Sequence, residues 1–183
     1  MGRLRRFLSR RIPKLNNALF IESGDREVSE RMLPALYQQC PYIDVVTCFA
    51  DPPKAFDARK GQTWNTNEYV GREGQKRLLA ELWQKHYSAV GIMCAESPIL
   101  FKWKWYLAFQ LPGKLFIVNE NVDYFWVDRG NAHIVRKFLL YRLGLSGADA
   151  ARTLTQLALF PFTVLFLLLY AAWVHTKRIL RSA

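Results

Sequence analysis

The run from Leu157 to Val174, LALFPFTVLFLLLYAAWV, contains no charged side chain, and the uncharged window extends outward from Thr153 to His175. At about 1.5 Å of rise per residue, such a run makes a helix of roughly 27 Å, close to the hydrocarbon thickness of a bilayer. A helix that is apolar all round is buried either in lipid or in the core of a large protein. A chain of 183 residues has too little protein to enclose one. The run therefore reads as a membrane helix over 153–176, with Leu157, Pro161, Phe166, Leu168, Tyr170 and Trp173 as its anchor residues and 177–183 as a basic tail. Tyr170 and Trp173 lie where an aromatic belt forms, and Lys177, Arg178 and Arg181 follow as a headgroup clamp. Pro161 removes one backbone hydrogen bond, so a straight span and a re-entrant segment both fit.

The formal net charge of +11 divides unevenly. Residues 1–14 carry six basic side chains and no acid, and residues 129–183 carry eight against Asp149 alone. The stretch between has 12 basic and 14 acidic residues, so the excess belongs to the two ends. A nucleic-acid module spreads basic charge over its folded surface. Basic runs at the ends of a membrane protein instead attract anionic lipid. Membrane lipid is thus the expected partner, and nucleic acid is not. Segment 1–16 places Leu4, Phe7, Leu8, Ile12 and Leu15 three or four apart among arginines, which suits a helix in the headgroup plane or a disordered basic tail. No apolar signal-peptide core follows it, so the expectation is a single C-terminal anchor with the soluble domain facing the cytoplasm.

Between the ends, residues 17–145 alternate apolar β-rich runs with helical ones. Strands are expected at Asn17–Ile21, Tyr42–Phe49, Ala89–Cys94 and Lys114–Asn119, and helices at Val28–Gln39, Gly71–His86, Ile99–Leu111 and Asn131–Leu143. That alternation predicts one α/β domain, a Rossmann-like parallel sheet with helices on both faces. The stretch Asp51–Val70 is long for a connection, which suggests a functional or mobile loop, with a short strand near Trp64–Tyr69. Cys40, Cys48 and Cys94 read as free buried thiols, and neither they nor His86, His133 and His175 have metal-ligand spacing.

In open parallel sheets the ligand crevice lies beyond the carboxyl ends of the strands. The residues expected there are Glu22, Ser23, Gly24 and Asp25, then Asp51, then Glu96 and Ser97, then Glu120 and Asn121. Asp25 and Glu96 are the candidate general bases, because a strand end can hold a carboxylate in a partly closed crevice. Ser23, Gly24, Ser97, Glu120 and Asn121 are candidate substrate-binding residues. Ser97 with Pro98 also suits the N-cap and first position of the next helix, which is the stronger reading. The turn ESGDRE lacks the glycines of a dinucleotide fingerprint, so neither NAD nor FAD is expected, nor any other cofactor. Lys102 and Lys104, set among Trp103, Trp105 and Tyr106, could pair with a sugar phosphate or rest at the bilayer interface; ordinary packing is an equal alternative.

Gly24-Asp25, then Pro34-Ala35-Leu36 within the first helix, then Pro41, Asp44, Val45 and Val46 at the second strand, resemble the N-terminal half of GT-B-type glycosyltransferases, especially the bacterial heptosyltransferases. The resemblance covers 17 to about 128. It implies that Asp25 takes the proton of an acceptor hydroxyl. The donor-binding second half of that family has no counterpart here, and the membrane helix stands in its place. The resemblance thus implies an acceptor-side half or subunit in cell-envelope glycan or glycolipid synthesis. It would work on a lipid-linked or glycan acceptor, with a second chain supplying the nucleotide-sugar domain. The alternative is a non-catalytic membrane scaffold with the same fold.

Overall fold

In the computed structural model, which describes residues 12–94, 99–142 and 149–182, the chain divides into two compact units, Met1–Ala132 and His133–Ala183. The first contains, in order, β1 (Asn17–Ile21), α1 (Arg26–Gln39), β2 (Tyr42–Thr47), β3 (Thr63–Asn65), a 3-10 turn at Thr66–Glu68, α2 (Gly71–Gln84), β4 (Ala89–Met93), α3 (Phe101–Gln110), β5 (Lys114–Val118) and β6 (Tyr124–Trp126). The second holds most of α4 (Ala132–Arg142) and all of α5 (Asp149–Ser182). The helix expected at Asn131–Leu143 therefore groups with the C-terminal unit.

The six strands form one sheet in the order β3-β2-β1-β4-β5-β6. All neighbours are parallel except β6, which runs antiparallel to β5, pairing Val118 with Tyr124 and Phe116 with Trp126. This is the Rossmann-like α/β arrangement, and it has a topological switch: the chain builds outward from β1 through β2 to β3, then returns by α2 to β4 on the other side of β1. Every residue of β4 and β5 is buried, as befits strands covered on both faces.

Side chains alternate across the sheet. On one face Ala18, Phe20, Ile43, Val45, Ala89 and Met93 pack beneath Val28, Met32, Leu33 and Leu36 of α1. Leu19, Ile21, Val90 and Ile92 point the other way and are also buried, so α2 and α3 are the cover for that face through Leu78, Leu82 and Leu107. Gly91 sits at the centre of β4 because a Cβ there would strike the ring of Phe116 on β5.

Several boundaries differ from expectation. Helix α1 begins at Arg26, two residues before Val28, and β2 ends at Thr47 rather than Phe49. The strand within 64–69 is Thr63–Asn65, followed at once by the 3-10 turn. Helix α3 begins at Phe101, and its N-cap is Leu100 in the left-handed region at φ 53°; Ser97 and Pro98, the cap expected from the sequence, lie outside the described residues. The sheet is also not wholly parallel, because a short hairpin at Asn119–Asp123 folds β6 back onto β5. In that turn the Asn119 side chain accepts from the Asn121 and Asp123 amides at 3.0 and 2.9 Å.

The long connection after β2 is pinned rather than loose. The Glu30 carboxylate accepts from the Lys54 and Ala55 amides, at 2.5 and 2.7 Å, and the Tyr37 hydroxyl accepts from the Asp57 amide at 3.1 Å. Asn65 and Asn67 donate their side-chain amides to the carbonyls of Phe49 and Cys48. Cys40 and Cys94 are buried and Cys48 half-buried, all three as free thiols.

Helix α5 runs unbroken from Asp149 to Ser182 through Pro161. Its window Ala158–His175 has mean hydropathy 1.9 with none of it buried by protein, and it is long and apolar enough to cross a membrane. Pro161, Phe166, Leu168, Tyr170 and Trp173 are all exposed; the side chain of Leu157 lies outside the described residues. A re-entrant segment needs a reversal, and α5 contains none. The Thr163 hydroxyl donates to the Leu159 carbonyl, which removes an unpaired donor from the apolar stretch. Near the basic end, Lys177 Nζ lies 4.8 Å from the centre of the Trp173 ring. The stripe of residues 1–16 falls mainly outside the described residues.

Candidate functional site

Strand β1 delivers Glu22, Ser23, Gly24 and Asp25 to the carboxyl end of the sheet, beside the switch between β1 and β4. The Glu22 amide extends the ladder by donating to the Val46 carbonyl at 2.9 Å, and the Ser23 amide then turns back to the Ile21 carbonyl at 2.8 Å. The two side chains that follow are fully buried, and each is committed to the fold.

Ser23 Oγ donates to the Met93 carbonyl at 2.9 Å and accepts from the Met93 amide at 3.1 Å, so one hydroxyl replaces the ladder where β1 and β4 part. Lys104, reaching back from α3, donates to the same carbonyl at 3.0 Å and is 4% exposed. Lys104 is therefore a buried strut between α3 and the end of β4. Its expected role as a surface phosphate ligand is corrected by this burial. Lys102, two residues away, is exposed.

Glu22 accepts from Arg26 Nε and Nη2 at 3.1 and 3.2 Å, a two-point pairing, and from Thr47 Oγ1 at 2.5 Å. The Arg26 guanidinium also donates to the Asp51 carbonyl at 2.5 Å and lies 4.4 Å from the centre of the Phe49 ring. Its pKa is raised, first by the bond to Glu22. Together Glu22, Arg26 and Thr47 fasten the carboxyl ends of β1 and β2 to the start of the long loop.

Asp25 differs from its neighbours. It is the N-cap of α1, in extended conformation, exposed, and its carboxylate makes no capping hydrogen bond. Gly24 beside it is buried, which brings the backbone close under the rim. Asp25, the outer edge of Arg26 and exposed Asp51 thus face solvent over a floor whose polar groups are already paired. Glu96 and Ser97 lie outside the described residues. Glu120 and Asn121 belong to the β5–β6 hairpin turn, where the Glu120 carbonyl accepts from Arg31 at 3.1 Å. The structure thus brings Ser23, Gly24, Asp25 and Lys104 together at the switch, and sets Glu120 and Asn121 in that turn. Arg26 and Thr47 were not anticipated. The four-residue separation of Glu22 and Arg26 was the available signal, obscured because Glu22 precedes the helix.

A second concavity lies at the amino ends of the strands, a cavity of about 430 Å³ lined by Asn17, Tyr42, Asp44, Arg59, Lys85 and Tyr87 among others. Asp44 accepts from the Gln62 amide at 2.7 Å and the Tyr87 hydroxyl at 2.5 Å, joining β2, the long loop and the entry to β4. Burial first, then the bond to Asp44, pushes the Tyr87 phenol well above the usual tyrosine range. Tyr69 is pushed up to about 12 by burial and its bond to Glu81. A group with a raised folded pKa contributes stability that is complete below its unfolded value, near 10 for tyrosine, and lost as pH climbs from there towards the folded value. The expectation is a stability plateau through neutral pH that falls above about pH 10, in step with late tyrosinate absorbance. Ionisation of every tyrosine near pH 10 in the intact fold would contradict it.

The fold and the paired switch crevice define a Rossmann-like α/β domain carrying an apolar C-terminal helix. No protein-family model matches the chain, and no curated protein does. Among solved structures it is similar to glycinamide ribonucleotide transformylase 1 from Symbiobacterium toebii, at 12% identity and a TM-score of 0.39, over 57% of this chain and 51% of that one. The chain thus spans about half the length of that enzyme.

Proposed function

We propose that the chain is a membrane-anchored, glycosyltransferase-like protein of cell-envelope glycan or glycolipid synthesis. It acts as the acceptor-side half or subunit, with a second chain supplying the nucleotide-sugar domain. In this reading α5 crosses the bilayer and the α/β domain faces the cytoplasm. The observation that carries it is the division of labour between the two carboxylates at the end of β1. Glu22 is consumed by Arg26 and Thr47, whereas Asp25 stands exposed at the rim with no capping bond. A general base needs an accessible carboxylate near a hydroxyl, and Asp25 meets the first condition.

Transfer of labelled sugar to endogenous lipid acceptor, measured in membranes containing the full chain, tests the assignment. Asp25→Asn keeps a good N-cap residue and should lower transfer by roughly 10² to 10⁴, the usual contribution of a positioned base, with folding intact. Undiminished transfer removes Asp25 from the mechanism.

A second reading, a non-catalytic membrane scaffold, is favoured by the occupied crevice floor. Ser23 bridges the point where β1 and β4 separate, and Lys104 caps it. Copurification of a nucleotide-sugar-binding chain separates the readings in favour of the transferase.

A further inference from the structure

We propose that α3 is a second membrane contact, with Phe101, Trp105 and Phe109 seating the α/β domain on the lipid surface that α5 enters. The three residues are four apart and so form one stripe along the helix. Phe101 is 57% exposed and Phe109 67% exposed, and Trp105 stacks on Phe109 with ring centres 5.7 Å apart. The neighbouring side of α3 is already used, since Lys104, Leu107 and Ala108 are buried, and it borders the stripe: Lys104 Nζ lies 5.7 Å from the centre of the Phe101 ring and 6.0 Å from that of half-buried Trp105. The stripe therefore lies along the margin of the packed side, with Phe101 and Phe109 turned to the outside.

The chemistry of the outer side selects lipid as its occupant. Aromatic rings flanked by lysine concentrate at membrane–water interfaces, and exposed Lys102 lies next to Phe101. The same combination recurs at the basic end of α5, where Lys177 sits over Trp173. The tether supplies the proximity. About 25 residues separate Ala132 from Ala158, so the connection confines the α/β domain to within roughly 90 Å of the point where α5 enters a bilayer. Under that confinement a patch too weak to bind membranes alone is held against one.

The seating also orients the crevice. Phe101 and Lys102 are at the end of α3 nearest the carboxyl end of β4, where Lys104 and Ser23 share the Met93 carbonyl. Contact at Phe101 brings that end of the sheet to headgroup level. The lipid contact stands without the transferase reading; its use in presenting a lipid-linked acceptor to Asp25 rests on that reading.

The test places a photoreactive benzophenone amino acid at Phe101, at Phe109 or at Gln38 of the full-length chain, reconstituted into phosphatidylethanolamine vesicles with a minority of phosphatidylglycerol. Gln38 is exposed on α1, on the other face of the sheet. Lipid adducts on irradiation are expected several-fold more often at 101 and 109 than at 38. Equal adduct yields in chain that floats with the vesicles would overturn the contact and leave the anchor and the transferase reading standing. A protein–protein photoproduct at 109 would overturn lipid as the occupant in favour of a protein partner. Failure of the chain to float would overturn anchor and contact together.

Discussion

Arg26→Ala is expected to destabilise the α/β domain by about 3 kcal/mol, the lower end of the range for removing one partner of a buried ion pair. The Glu22 carboxylate is completely buried, and two of its three side-chain donor contacts come from Arg26. Without the guanidinium, Thr47 remains the donor to a charge that cannot reach water. Arg26 itself is 30% exposed, which places the expected loss at the low end. Glu22→Gln should cost less, because a neutral amide keeps an acceptor for Thr47 and leaves no buried charge. Chemical denaturation of the full chain in mild detergent, followed by circular dichroism, measures both. If Arg26→Ala falls within about 1 kcal/mol of the parent, the buried pair is not what fastens β1 to β2.

Phe166→Asp combined with Leu169→Asp is expected to release the chain from the membrane. Each carboxylate near the middle of a span costs about 2.5 to 3.5 kcal/mol on insertion scales, and the lost apolar side chains add a few tenths more. Both residues are more than 60% exposed, and among the described residues none of the window Ala158–His175 is buried by protein, so each new charge would face lipid. The prediction is a shift from the alkali-resistant membrane pellet to the soluble or aggregated fraction, with Phe166→Leu as the neutral control. Full retention of the double variant in the pellet would show that residues outside α5 hold the chain there. Parent protein that disperses as a monomer in buffer without detergent would go further and deny the helix any need for lipid.

The two results bear on different links between sequence and function. Arg26 tests whether the crevice floor is a structural knot, which leaves Asp25, with Asp51, as the exposed carboxylates beside it. The anchor variant tests whether the chain belongs at the surface on which the proposed acceptor resides. Loss of transfer in Asp25→Asn, with stability unchanged, would join them. A membrane-bound, stable and inactive pair of proteins would instead favour the scaffold.

Much of the crevice lay within reach of the sequence, but its chemistry did not. The alternation of apolar runs with helical ones is a local property, and it located β1, β2, β4, β5 and α1 to α4 within a few residues. That Glu22 and Ser23 follow β1 was equally clear. Which of Glu22 and Asp25 would be free depended on Thr47, a residue of another strand, and on whether Arg26 would turn inwards. Lys104 is sharper still. Beside Trp103 and Trp105 it reads as a surface cation, yet packing α3 on β4 drives it beneath the helix, where the Met93 carbonyl receives it.

By itself the sequence determined the α/β class and the apolar helix, because hydrophobic periodicity and an uncharged run of bilayer length are written residue by residue. Only the tertiary structure decided the antiparallel β6, the pinned loop after β2, the paired Glu22 and the exposure of Phe101 and Phe109 on α3. β6 is three residues long, too short to show a period, and it exists because β5 offers an open edge. The stripe shows the same physics from the other side: five aromatic residues and a leucine on one helix look like core until the sheet takes one face and leaves Phe101 and Phe109 to solvent or lipid.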